Sequence, residues 1–129
     1  MKHLDYDTLL ALHAHLMREL MGERFFGVLN ENLLRSALAR PVNAEAYEHA
    51  DGLRPAAHLF HGLLTNHGFV QGNKRTAYLA LEWFLWTNQL GEIRASDDQI
   101  VSMCLAAIRE RWDIAAVETW LRGHVAPAH

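Results

Sequence analysis

The chain has 129 residues, of which 50% are hydrophobic and 21% are charged, and its formal net charge is −3 at pH 7. These values are typical of one globular domain with a buried core, so we predict a single domain over residues 1–129. The slightly acidic balance, without a stripe of basic residues, argues against nucleic-acid binding, and no apolar run approaches the roughly 20 residues that a membrane-spanning helix needs.

The N-terminal segment is predicted to form one helix followed by an aromatic loop. Asp7 can cap this helix, in which His13 and several leucines recur at helical spacing before Gly22. Residues 23–29 are short, aromatic and interrupted by Gly27, which favours a loop or a small hairpin.

A second helix is expected after Asn30, and a proline predicts where it ends. Pro41 disfavours the helical conformation in the residue before it, so the helix should stop by Arg40. Residues 42–53 are ambiguous and allow a further short helix near positions 45–50.

Two longer helices are predicted in the middle of the chain, over residues 54–67 and 73–89. Pro55 suits the first turn of the earlier one. The later one has almost no polar face before Gly91, and a helix that is apolar all round is usually buried at the centre of its domain.

The C-terminal part is predicted to contain a short extended piece at residues 92–95 and two more helices. Residues 96–99 read as a capping box for a helix that continues to about Arg109, and Asp113 can cap the last helix. Residues 126–129 are expected to fray. The complete pattern predicts an all-α, compact helical bundle with a buried central helix.

The single cysteine and the N-terminus indicate the compartment. Cys104 cannot form an intrachain disulfide, and its apolar neighbours place it in the core. Asp5 and Asp7 interrupt the stretch where a signal peptide would be continuously apolar. We therefore expect a soluble cytoplasmic protein.

The segment between the two central helices, HGFVQGNKRT at residues 67–76, carries the chemistry. A glycine-containing loop that opens onto a helix presents free backbone N–H groups and the positive end of the helix dipole to an anion. Lys74 and Arg75 add two full charges, and Gly72 allows close approach of a phosphate. Histidine ordinarily titrates near neutral pH, so His67 can accept a proton from an incoming hydroxyl.

This segment resembles the signature of the Fic/Doc (death-on-curing) family, H-x-F-x-D/E-G/A-N-G/K-R. The lysine at the eighth position resembles the Doc branch, whereas the Fic branch has glycine there. Segments 10–13, 33–41 and 120–122 are also similar to Doc-like proteins. The matching residues of the motif are His67, Phe69, Gly72, Asn73, Lys74 and Arg75.

The resemblance implies a toxin of a toxin–antitoxin pair that moves a phosphoryl group from ATP to a threonine of a translation factor such as EF-Tu. His67 would deprotonate the target hydroxyl, Gly72 and Asn73 would stabilise phosphate oxygens, and Lys74 and Arg75 would neutralise charge. The implied partners are a cognate antitoxin and the substrate protein. From the residues alone, Asn73 could instead be a helix cap or an anchor of the loop.

Gln71 stands where the family has an acid that holds Mg²⁺ between the protein and the nucleotide. An amide oxygen can ligate Mg²⁺ but contributes no charge. Three outcomes remain open: weaker metal affinity, a metal held mainly by nucleotide and water, or lost activity.

Two other functions remain open beside phosphoryl transfer. One is adenylyl transfer to a protein hydroxyl, as in Fic proteins; Lys74 argues against it, because its side chain fills space that glycine would leave. The other is a non-catalytic interaction module whose active site has decayed at Gln71. Among the nine histidines, His58 and His61 lie three residues apart without a clear third metal ligand, and His13 could support the site.

Overall fold

The computed structural model describes residues 1–48 and 51–127, and within these ranges the chain is an all-α bundle with one very short strand pair. The fold class predicted from the sequence is therefore confirmed. No helix in the described part of the chain is both long and apolar enough to cross a membrane. The helices are α1 Tyr6–His15, α2 Glu31–Glu48, α3 Leu53–Asn66, α4 Asn73–Thr87, α5 Asp97–Arg109 and α6 Ile114–His124, and the strands are β1 Glu92–Ile93 and β2 Val125–Ala126.

Helix α1 begins at Tyr6, two residues before the start that a cap at Asp7 would give. Its N-cap is Asp5, whose carboxylate accepts a hydrogen bond from the backbone N–H of Thr8 at 2.7 Å. The predicted cap, Asp7, lies instead in the first turn, where its charge favours the helix dipole. The helix continues as five π-helical residues, Leu16–Leu20.

Helix α2 runs through Pro41, so the predicted stop at Arg40 is wrong. A proline inside a helix removes one N–H and crowds the preceding turn. Here the proline is buried, and α2 packs along α3, with Ala37 next to Gly62. This packing outweighs the local cost. The helix predicted near residues 45–50 is the end of α2, and positions 49 and 50 lie outside the described residues.

Helix α3 is the centre of the bundle and contacts α2, α4 and α6. Gly62 permits the close approach of α2, because a Cβ atom at this position would lie 3.1 Å from the Cβ of Ala37. Pro55 falls in the first turn, as predicted. The fully buried apolar residues of α3 include Ala56, Ala57, Leu59, Phe60 and Leu64.

Helix α4 buries one face and leaves another open. Ala77, Leu81 and Phe84 are fully buried against α3 and α1, whereas Trp86 is 81% exposed. The expectation that the whole helix surface would be covered is therefore wrong on the Trp86 side. A groove of about 450 Å³ follows this side, and its lining includes Leu12, Leu79, Trp83, Trp86 and Ile93.

The C-terminal helices begin at the predicted caps. Ser96 and Gln99 form a reciprocal capping box at the start of α5, and Asp113 accepts from the N–H of Ala116 at 2.8 Å at the start of α6. Cys104 is buried, as predicted. The predicted fraying at position 126 is wrong, because β2 pairs antiparallel with β1; residues 128–129 lie outside the described ranges.

We expect Ser96→Ala to lower the free energy of unfolding by about 1 kcal/mol, because the backbone N–H of Gln99 loses the Ser96 hydroxyl that accepts its hydrogen bond. Urea denaturation monitored by circular dichroism measures the change. Ser102→Ala is the matched control, since Ser102 is exposed on the same helix away from its cap. Equal losses in the two variants would contradict the prediction.

Candidate active site

The loop between α3 and α4 is built from two left-handed residues. His67 ends α3 with φ 50° and ψ 47°, and Gly72 precedes α4 with φ 75°. The first bond of α4 runs from the N–H of Thr76 to the carbonyl of Gly72 at 2.9 Å. The N–H groups of the residues between them therefore have no carbonyl partner within the helix and are available to an anion.

This loop borders a cavity of about 300 Å³. The lining residues are Met21, His67, Gly72, Asn73, Lys74 and Arg75. The structure thus brings together five of the six residues that the sequence singled out, and Gln71 is the one that does not line the cavity. Lys74 and Arg75 are exposed and form no ion pair with any described residue.

Asn73 anchors the loop. Its side-chain Oδ1 accepts from the N–H of Phe69 and its Nδ2 donates to the carbonyl of Phe69, both at 3.0 Å. Gly72 occupies the N-cap position, so Asn73 is not the helix cap. One N–H of the Asn73 amide and its backbone N–H are left for a ligand.

A buried histidine, His13, packs against this loop. His13 on α1 is only 2% exposed, and its ring stacks on Phe69 with a centroid distance of 3.7 Å and an interplanar angle of 10°. Its Nδ1 atom is hydrogen-bonded to the hydroxyl of Thr76 on α4 at 2.8 Å. Burial lowers the pKa of His13 from 6.5 to about 4, so the imidazole is neutral at physiological pH.

Sequence reasoning identified His13 only as a possible support, included Thr76 in the motif without a structural role, and missed Met17. A local indication existed only for His13, which recurs at helical spacing with the leucines of α1. Met17 lies under the turn: a Cβ atom on Gly72 would fall 2.6 Å from the Met17 Sδ atom. A side chain at position 72 would therefore displace the buried Met17 side chain, and the positive φ of Gly72 also favours glycine.

The aromatic segment predicted as a loop or hairpin, residues 23–29, lies against the loop of the motif. Val28 forms an isolated antiparallel bridge with Phe69. The rings of Phe26 and His13 form a T-shaped pair with a centroid distance of 5.9 Å, and the Arg18 guanidinium lies 5.1 Å from the Phe26 ring centroid. Three segments of the chain thus meet at His13 and Phe69.

No group of three histidine, cysteine or acidic side chains in the described ranges is arranged to hold a metal ion. In particular, His61 uses its Nε2 atom for a hydrogen bond to the carbonyl of Trp112 at 2.9 Å. His61 also lines a second cavity, of about 290 Å³, which shares His67 with the first and is bordered by Arg111.

A family model described as the Fic/DOC family matches residues 3–85, which is more than half of the chain. The match includes α1, the aromatic loop, the motif and most of α4. The protein therefore belongs to the Fic/DOC family, and membership points to transfer of a nucleotide or a phosphoryl group to proteins. No curated protein matches the chain.

We expect the folded protein to lose stability as the pH falls from 6.5 to about 4, because in this window the unfolded chain protonates His13 and the folded chain does not. The contribution is fully present above pH 6.5, and its loss is roughly 3 kcal/mol near pH 4. In His13→Gln the slope of unfolding free energy against pH should be shallower over this window.

Urea titrations at a series of pH values measure this slope. The matched control is His15→Gln, because His15 is exposed on the same helix and should leave the slope nearly as in the wild type. A slope that is identical in the wild type and in His13→Gln would show that the buried imidazole does not resist protonation.

Proposed function

We propose that the protein transfers the γ-phosphoryl group of ATP to a hydroxyl of a substrate protein, as the toxin of a Doc-like toxin–antitoxin pair. The observation that carries this proposal is the single cavity shared by His67, the start of α4 and two cations without an ion-pair partner among the described residues. Such a cavity suits a polyphosphate, and a histidine at its border suits proton removal from an attacking hydroxyl.

In the proposed reaction the acceptor oxygen attacks the γ-phosphorus, and the bond between that phosphorus and the oxygen of the departing ADP breaks. His67 takes the proton of the acceptor hydroxyl. Lys74 and Arg75, together with the free N–H groups at the start of α4, balance the charge on the phosphate oxygens. Because His67 lines both cavities, an acceptor segment in the second can bring its hydroxyl to the imidazole beside the phosphate in the first.

Phosphoryl transfer is preferred to adenylyl transfer because of Lys74. Lys74 lines the cavity from the first turn of α4, where the Fic branch of the family has glycine. A cation there favours the terminal phosphate with its higher charge and reduces the room for a nucleotide that presents its α-phosphate to the acceptor.

The groove beside α4 supports a protein partner. Trp86, Trp83 and Leu79 form an apolar strip on a helix whose other face is the core of the bundle. An amphipathic helix binds such a groove through anchors at helical spacing. We propose that a cognate antitoxin binds here and that the substrate is a threonine of a translation factor such as EF-Tu.

We expect label from [γ-³²P]ATP to be incorporated into the substrate protein, and label from [α-³²P]ATP to be absent from it. The measurement is autoradiography of the wild-type protein incubated with a bacterial lysate and each nucleotide in turn. The donor phosphate faces Lys74 in this proposal, so only the terminal group moves. Label retained only from the α position would establish adenylyl transfer instead.

We expect His67→Ala to reduce transfer at least about 100-fold, because a general base is lost, and to leave ATP affinity nearly unchanged. Transfer is followed with labelled ATP and affinity by calorimetry. His15→Ala is the control, since His15 is exposed on α1 and does not line the cavity. If the wild type, His67→Ala and Gln71→Asp all fail to bind ATP, the protein acts as an interaction module and the enzymatic proposal fails.

A further inference from the structure

The aromatic loop, residues 23–29, is attached to the motif by a ladder of backbone hydrogen bonds. The N–H groups of Leu29 and Asn30 donate to the carbonyl of Gly68 at 2.8 and 3.0 Å. Further along, the N–H of Val70 donates to the carbonyl of Gly27 at 2.9 Å. The two segments therefore run antiparallel, with Val28 opposite Phe69.

The side chain of Gln71 supplies the next bond in this ladder. After Val70 the backbone turns at Gly72, which has φ 75°, to enter α4. The Gln71 Nε2 atom donates to the carbonyl of Phe25. Phe25 is 85% exposed, so its ring packs on little else. The hydrogen bond to its carbonyl is therefore a main contact of this residue with the motif.

An acid at position 71 could not make this contact. An ionised carboxylate has no hydrogen to donate, and its oxygens would face the Phe25 carbonyl oxygen as a second acceptor. The amide is therefore the feature of residue 71 that closes the ladder. Glutamine and glutamate have the same length, so the difference is one of donor chemistry and charge and not of reach.

The residues around the cavity do not fit the Mg²⁺ that the family implies. The cavity lining contains no carboxylate. At the sequence position where the family has its metal-binding acid, this chain has Gln71, a neutral amide whose nitrogen donates to the aromatic loop. Mg²⁺ prefers carboxylate and phosphate oxygens. The charges that the protein itself offers to a polyphosphate are those of Lys74 and Arg75.

We propose that Gln71 is a positioning residue that fastens the aromatic loop to the motif, and that the protein has no divalent-metal site of its own at this position. The amide holds the loop beside the phosphate cavity, and the two cations of α4 carry the charge balance. The attachment of the loop and the lack of a metal site stand on the contacts above; only their importance for transfer rests on the proposed function.

We expect Gln71→Glu and Gln71→Met to be cleaved by trypsin after Arg24 about tenfold faster than the wild type, because each substitution removes the donor to Phe25. Arg24 is exposed within the aromatic loop, so its cleavage reports opening of that loop. Mass spectrometry of the fragments measures the rate at this bond. Gln89→Glu makes the same chemical change at an exposed site outside the loop and should be cleaved at the wild-type rate.

Mn²⁺ titration followed by electron paramagnetic resonance tests the metal part without nucleotide. Gln71→Glu supplies one carboxylate at this position and should bind Mn²⁺ more tightly than the wild type, whereas Gln71→Met and Gln89→Glu should bind Mn²⁺ as the wild type does. Circular dichroism confirms that each variant is folded. Wild-type cleavage rates in both Gln71 variants would overturn the loop attachment, and saturable Mn²⁺ binding by the wild type that is lost in Gln71→Met would overturn the metal inference.

Neither measurement uses ATP, so its outcome is independent of whether the proposed transfer occurs. If label transfer fails while cleavage and Mn²⁺ binding behave as expected, the proposed function is wrong and the role of Gln71 in holding the loop stands. If transfer occurs but the Gln71 variants are cleaved like the wild type, the proposed function stands and the role of Gln71 in holding the loop is wrong.

Discussion

The position of Phe69 determines the geometry of the site. Its ring stacks on the buried imidazole of His13, and both of its backbone polar groups are bonded to the amide of Asn73. Because α1, the aromatic loop and the start of α4 all meet Phe69, its displacement would move His67 and the two cations of the cavity together. A rigid support of this kind is what a site for phosphoryl or nucleotidyl transfer requires, since positioning and electrostatics dominate such reactions.

The motif and its flanking helices could be predicted from the sequence because their signals are local. The end of α3 near His67, the start of α4 at Asn73 and the capping box at Ser96 all follow from residue types within a few positions. Loop residues next to one helix start cannot lie far apart, so the proximity of the cavity residues also follows from the sequence. Their chemical roles remain predictions.

The remaining features depend on contacts between distant segments. Pro41 lies inside a helix that packs along α3, and β2 pairs with β1, which lies more than thirty residues earlier in the chain. The bond between Gln71 and Phe25 joins residues 46 positions apart, so no local pattern could indicate it. Likewise, the sequence of an apolar helix does not show whether its own domain or another protein covers each of its faces. For this reason the sequence predicted a buried Trp86, which the structure shows to be exposed.

The exposed indole of Trp86 has a consequence for how the protein behaves on its own. A solvent-facing tryptophan on an apolar strip favours self-association at high concentration, since large apolar patches are where soluble proteins aggregate. Production alone should therefore give less soluble material than co-production with whatever covers the strip. The same indole would emit at shorter wavelength once covered, which makes the native chain its own fluorescent reporter of complex formation.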